Sequence, residues 1–356
     1  MASANAASYA VYPGMRVLSV DPRRPDAAAV LEAVGVLRRG GLVVFPTETV
    51  YGLGCRALDE SAVARVFAVK GRPPHHPLIA HVTTEGSARE LAAVWPPVAS
   101  RLARAFWPGP LTLVVERASF VPAIVAGGGG SIALRAPSHP VARALLEVLG
   151  EPIAAPSANR YQCLSPTCAP HAIRQVGGDV DLVLDGGTCD AGIESTVIDV
   201  RGPSARVLRP GAVPMAALRD LVPNLERVLE PVESECVRDA PGMDRRHYAP
   251  RAPLLVESDG PTASRLAAEL AQHQPDVGLV TLERSRAATV DPSLSFRPGI
   301  VERVLPRDPE GYARHLYSTL HELDDAGVRA IVVERVPDDE SWCAVADRLA
   351  RAASKS

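Results

Sequence analysis

Lysine is almost missing from this chain. Of 38 basic residues only Lys70 and Lys355 are lysines, and Lys355 lies at the very C-terminus. A chain that uses Arg nearly everywhere and keeps one internal Lys suggests a position that needs a compact ammonium rather than a planar fork. Mutational accident gives the same pattern, and composition does not separate the two. Cysteine is sparse as well. The six cysteines form no C-x-x-C pair and no zinc-finger spacing, so neither a structural zinc site nor a disulfide scaffold is expected. Aromatic residues make up only 4%. No apolar run approaches the ~20 residues of a membrane span. The N-terminus lacks the basic start and apolar stretch of a secretory leader. Neither sign of charge dominates: the net charge of −3 excludes a strongly basic nucleic-acid coat and an acidic disordered tail. There is no G-x-x-x-x-G-K-[ST] loop, no G-x-S-x-G elbow and no H-E-x-x-H pair. These absences leave a soluble, cytoplasmic globular protein with no membrane partner. Its 356 residues suggest two domains at roughly 150 residues each.

What is present alternates short apolar strands with helical segments, so the fold class is mixed α/β. Strands are expected at 42–45, 111–115, 132–134, 180–184 and 196–200. Helical spacing covers 61–69, and a helix over 139–149 ends at Gly150, which tolerates a left-handed cap. Residues 14–218 form the first unit. Residues 219–252 lose periodicity and carry prolines at 241 and 250, which read as a linker with an ordered second half. Residues 253–353 regain the alternation, with strands at 254–257, 277–281 and 330–334 and helices at 263–272, 311–325 and 343–353. They form a smaller α/β domain.

Four segments carry chemistry. In PTETVYGLG, Pro46 ends a buried strand and presents Thr47, Glu48, Thr49 and Tyr51 in a loop. In KGRPPHHPLIAH, Lys70 and Arg72 stand on a proline-stiffened loop. They suit a polyphosphate, as a point charge and a fork, with His76 and His81 close by. Such a basic pair is ordinarily a solvated face; the unique lysine and the prolines favour a site. In SIALRAPSHP and IAAPSANRYQCLSPT, Arg135 follows a strand where a carboxylate can take its fork. Ala155 and other small residues let a ligand approach, and Ser157, Asn159 and Ser165 add polar groups. In GIEST and LRPG, Ser195 and Arg209 sit beside turns. Together they outline an anion and nucleotide site without a Walker loop.

PTETVYGLG, KGRP…HPL, WPGPLT, ALRAPSHP, PSAN, SPT, GIEST and LRPG occur in the order found in YrdC-like threonylcarbamoyl-AMP synthases, and APGMDRRHYAP with the domain after it resembles the family's long, two-domain form. The resemblance spans nearly the whole chain. It implies a twisted mixed sheet around a large basic cavity, plus a smaller Rossmann-like C-terminal domain. The implied reaction makes threonylcarbamoyl-AMP and pyrophosphate from L-threonine, bicarbonate and ATP. Mg²⁺ would be carried mainly on the phosphates. The product would be handed to a tRNA threonylcarbamoyltransferase complex for modification of an adenosine beside the anticodon.

Carried over by resemblance, Thr47, His81, Arg135, Ala155 and Ser195 would hold threonine. Lys70, Arg72, His76, Ser131, Ser157, Asn159, Ser165 and Arg209 would hold ATP, with Lys70 and Arg72 as the catalytic cations. Arg246, His247 and Tyr248 of the linker would close over the nucleotide. The chain departs from the family at His76, where many members have Asn. It departs again at residues 160–164, in place of the Ser-Gly common in bacterial members, and at residues 337–349, where a Gly-rich segment is usual. Two other readings compete. One is an RNA-binding module using the basic concavity, which the net −3 charge and few aromatics oppose, so that RNA is expected to bind only weakly. The other is a diverged paralogue acting on another small molecule, which the set Thr47, His81, Arg135 and Ser195 opposes.

Overall fold

The computed structural model describes residues 12–227, 247–274, 276–283 and 299–354, and its elements form where apolar runs meet helix caps and turn residues. The first part runs β1 (Arg16–Ser19), α1 (Ala27–Arg38), β2 (Val43–Phe45), β3 (Gly52–Arg56), α2 (Glu60–Lys70), β4 (Ile79–His81), α3 (Glu85–Glu90), β5 (Ala92–Val94) and α4 (Pro97–Phe106). It continues through β6 (Leu111–Arg117), β7 (Ser131–Arg135), α5 (Pro140–Leu149), β8 (Ile153–Ala154), α6 (Ala169–Val176), β9 (Leu182–Asp185), β10 (Thr196–Asp199), β11 (Arg206–Arg209), α7 (Met215–Leu221) and β12 (Glu226–Arg227). One mixed sheet of 12 strands runs β1-β9-β2-β3-β8-β4-β7-β6-β10-β11-β12, with β5 on β6. One apolar cluster joins α1 and α5 to the sheet through Leu37, Phe45 and Leu145. Another joins α2 and α4 through Val63, Phe67 and Leu102.

The second part holds β13 (Leu254–Glu257), α8 (Gly260–His273), β14 (Val277–Leu282), β15 (Ile300–Leu305), α9 (Pro309–Asp325), β16 (Ala330–Glu334) and α10 (Cys343–Ala353). Its four strands are all parallel, in the order β13-β16-β14-β15. The edge strand β15 has no sequence expectation, because its Glu302 and Arg303 break the apolar run. The core of this domain extends into the first: Val50, Leu164 and Ile193 pack with Leu316, Tyr317 and Leu320.

Two expectations change in the structure. Lys70 is not on a loop. Asp59 caps α2 at its start and left-handed Gly71 (φ 61°) ends it, so Lys70 is the buried last residue of that helix. Gly52 and Gly54, which follow the loop carrying Thr47 to Tyr51, lie in β3, where Phe45 crowds the space a Cβ on Gly54 would need. The linker expected from residue 219 starts inside α7 and passes through β12; residues 228–246, Arg246 among them, lie outside the described residues. The five described cysteines are free, and burial pushes the Cys55 thiol up to about 12. Among the described residues no helix is long and apolar enough to cross a membrane.

The two domains meet at a stacked pair of buried imidazoles, His171 of α6 and His321 of α9, with ring centroids 3.9 Å apart. His321 Nε2 lies 3.1 Å from the Ser165 carbonyl. Burial, then the neighbouring His321, lowers His171 to about 2; burial, with the Arg174 and Arg251 charges, lowers His321 to about 4. Both rings are therefore neutral when folded and take protons near pH 6.5 when unfolded. Their contribution is complete above about pH 6.5 and is lost as pH falls toward 4, at up to about 1.4 kcal/mol per pH unit for each proton. Denaturant titrations across this range should show His321→Phe flattening the slope by about one proton; an unchanged slope refutes the role of the pair.

Candidate active site

The cavity opens where the central strands of the large sheet end. Parallel β4 and β7 pair His81 with Arg135, and antiparallel β8 places Ala154 opposite Ala80, so His81, Arg135 and Ala155 reach one wall. On the other side β10 runs parallel to β6 and antiparallel to β11, which brings Ser195, Thr112 and Arg209 together. The space between these strand ends, open solvent included, is about 520 Å³. Thr47, Arg72, His81, Arg135, Ala155, Ser157, Ser195, Arg209, His247 and Tyr248 all line it.

The wall at His81 and Arg135 is polar and buried. Arg135 Nη2 lies 2.8 Å from Glu48 Oε1, an ion pair without the alignment of a hydrogen bond. Arg135 Nε and Nη2, both Glu48 oxygens and His81 Nδ1 are buried and make no well-aligned hydrogen bond within the protein. Burial opposes Glu48 ionisation, but the Arg135 charge holds its carboxyl below the ordinary value. Burial, then the Arg135 charge, lowers His81 to about 3, so its ring is neutral. A buried guanidinium and a neutral imidazole on a cavity wall suit a polar ligand, since buried polar groups are ordinarily hydrogen-bonded. Thr47 closes the neighbouring turn: its Oγ1 donates to Val50 O at 2.7 Å and accepts from Thr49 N at 3.2 Å.

The opposite wall is cationic and tightly braced. Arg209 donates to the Ser195 carbonyl through Nη2 (2.9 Å) and to the Tyr248 hydroxyl through Nη1 (3.2 Å). Gly211 permits this fold-back, because a Cβ there would lie 2.4 Å from the Glu194 carbonyl oxygen. Ser195 Oγ shares a hydrogen bond of 2.8 Å with Thr112 Oγ1. Arg72 bonds the Pro77 carbonyl at 2.9 Å. Lys70 sits just behind the lining, with Nζ donating to the carbonyls of Ser157 and Asn159 at 2.5 Å each. Burial, then the Arg72 charge, lowers its ammonium well below the ordinary lysine value.

The linker's return forms the third wall. Ala249 N donates to Gln162 O at 2.9 Å, and Ala249 forms a bridge with Cys163, so the 160–164 loop clasps the linker. The Tyr161 ring stands between His76 (5.5 Å) and His247 (6.0 Å). Burial, with the Arg72 and Lys70 charges, lowers His247 well below the ordinary value, so it too is neutral. Tyr248 is buried in a left-handed backbone conformation, φ 60°.

Several expected ATP residues lie behind the cavity surface. Asn159 Nδ2 bonds the carbonyls of Arg160 and Cys163 at 2.8 Å and shapes the clasping loop. Ser165 Oγ donates to Glu194 Oε1. His76 and Ser131 are buried and are not part of the lining. The sequence reading missed Glu194 as a site residue, although GIEST was on view. It also missed Tyr161 and Arg348, which no local pattern marks.

Residues 35–211 match the Sua5/YciO/YrdC family profile, described as telomere recombination, and residues 215–354 match the profile of the threonylcarbamoyl-AMP synthase C-terminal domain. The threonylcarbamoyl-AMP synthase of Pyrococcus abyssi is 39% identical over 329 residues, covering 90% of this chain and 92% of the relative. That of Bacillus subtilis is 34% identical over 328 residues, covering 91% and 92%. The crystal structure of P. abyssi Sua5 complexed with L-threonine superposes with a TM-score of 0.87 at 36% identity, covering 95% of this chain and 97% of that one.

Proposed function

This chain belongs to the threonylcarbamoyl-AMP synthase family in its two-domain form, and from that membership we propose that it joins L-threonine, bicarbonate and ATP into threonylcarbamoyl-AMP and pyrophosphate. One observation supports this most directly: a wall carrying Arg135, held in an ion pair with Glu48, faces a braced cationic wall across a single cavity. Arg135 offers its guanidinium to the threonine carboxylate, and its contact with Glu48 fixes that group beforehand. The threonine amine takes up bicarbonate, releasing water. The new carbamate oxygen then attacks the α-phosphorus of ATP, and pyrophosphate leaves. Arg72, Arg209 and Lys70 stabilise charge on the phosphoryl oxygens by position alone, and no covalent nucleophile is needed.

Among the described residues no group of three or more His, Cys, Asp or Glu is placed to hold a metal ion, and the carboxylates of Glu48 and of cavity-lining Glu194 face guanidinium groups. Magnesium therefore enters this reading as a substrate partner on the ATP phosphates, where it keeps most of its waters. His247 and Tyr248, held by the 160–164 loop, cover the cavity and keep water from the labile carbamate. The product then passes to a transferase acting on tRNA in the cytoplasm, and any direct RNA contact is secondary.

Pyrophosphate release from ATP should require both L-threonine and bicarbonate, and labelled bicarbonate should appear in an AMP adduct. ATP binding with turnover indifferent to threonine refutes the assignment and points to a different amine.

A further inference from the structure

The geometry points to Arg348, on α10 of the second domain, as a positioning residue for the nucleotide end of the cavity. It braces the turn at Glu194 and Ser195 together with Tyr248, and it neutralises a carboxylate that lines the expected phosphate path. This inference rests on the synthase reading above.

The Arg348 side chain is fully buried, and every part of its guanidinium is engaged. Nε donates to Glu194 Oε2 at 2.7 Å, Nη2 to the Pro210 carbonyl at 3.1 Å and Nη1 to Asp347 Oδ2 at 2.6 Å. Its carbon Cζ lies 4.9 Å from the centre of the Tyr248 ring. Arg348 thus grips both supports of Arg209: the 194–210 backbone, whose Ser195 carbonyl holds that guanidinium, and Tyr248, whose hydroxyl accepts from it. Tyr248 sits in a left-handed conformation that a residue with a side chain keeps only when its surroundings impose it.

The charge balance gives the second half of the argument. Glu194 lines a cavity otherwise furnished for anions. Burial opposes its ionisation, yet the Arg348 and Arg209 charges hold it below the ordinary carboxylate range. Ser165 Oγ and the Tyr317 hydroxyl add hydrogen bonds to the same carboxylate. Without Arg348, a buried carboxylate would repel an incoming phosphate or capture a proton. Arg348 touches no reacting atom. It makes the second domain part of the active site without contributing a catalytic group.

The test compares wild type, Arg348→Met, Arg348→Lys, Glu194→Gln and the double variant, measuring ATP affinity by calorimetry and kcat and KM by pyrophosphate release. Arg348→Met should weaken ATP binding and lower kcat/KM for ATP about 100-fold, the scale of a displaced positioning group. Its kcat/KM for ATP should rise as pH falls, because Glu194 is neutral when protonated. The double variant should lose that pH limb and recover at least about tenfold over Arg348→Met, since the two residues are coupled. Arg348→Lys should keep the charge, show no limb and retain an intermediate rate.

An Arg348→Met protein with wild-type ATP affinity and rate overturns the proposal. So does a folded double variant with no recovery, which assigns Arg348 to packing alone. If Arg348→Met does not fold, the double variant decides: folded and active it supports the charge role, unfolded it overturns it. If wild type itself releases no threonine-dependent pyrophosphate, the synthase reading fails, while the ATP-binding comparison still decides the role of Arg348.

Discussion

Lys70→Met is expected to lower kcat by about 10²–10³-fold, the usual cost of removing one pre-placed charge from a transition state. It should also lower the melting temperature. Methionine nearly matches the lysine stem, so the change is electrostatic rather than one of volume. The ammonium does two things at once. It spans the carbonyls of Ser157 and Asn159, which fixes the turn beside the cavity, and it stands next to Arg72 behind the phosphate wall. Its removal leaves two carbonyls without their donor, at about 1–3 kcal/mol for each one left buried and unsatisfied. The melting shift separates this chain from one whose Lys70 stood on a free loop, where turnover would fall and stability would not. Wild-type turnover in Lys70→Met would remove Lys70 from the mechanism.

Arg135→Lys is expected to raise KM for threonine by about 10–100-fold and to leave KM for ATP nearly unchanged. Lysine keeps a charge beside Glu48, so the buried carboxylate stays compensated and the fold survives. It lacks the planar fork that reads a carboxylate, a difference of about 1.5–3 kcal/mol in charged hydrogen bonding. Arg135→Gln should do more harm, because an uncompensated buried partner of a broken ion pair costs about 3–5 kcal/mol. Steady-state kinetics with threonine and ATP varied separately, alongside thermal melts, check both. Equal effects on the two KM values would place Arg135 outside the amino-acid subsite.

Much of the site was legible because its signals are local. Pro46 after a buried strand, left-handed Gly150 at the end of α5 and Arg135 at the end of β7 each depend on a few neighbouring residues. The sequence alone therefore determined the mixed α/β class, the two-part organisation, and the set of short segments carrying Thr47, Arg72, His81, Arg135, Ser195 and Arg209.

It did not determine which polar residues face the cavity and which brace it. Asn159 and Ser165 carry the same kinds of polar group as Ser157, yet they turn inward, toward the 160–163 loop and toward Glu194. Lys70 stood out by composition, but its burial at a helix end follows from the Asp59 and Gly71 caps together with the carbonyls that α2 meets. Arg348 is one of many arginines, and its partner Glu194 lies 154 positions away. Only the packing of α10 against the GIEST turn distinguishes it. Periodicity and capping act over a single turn of chain, whereas the pairing of buried charges depends on which elements the fold brings together.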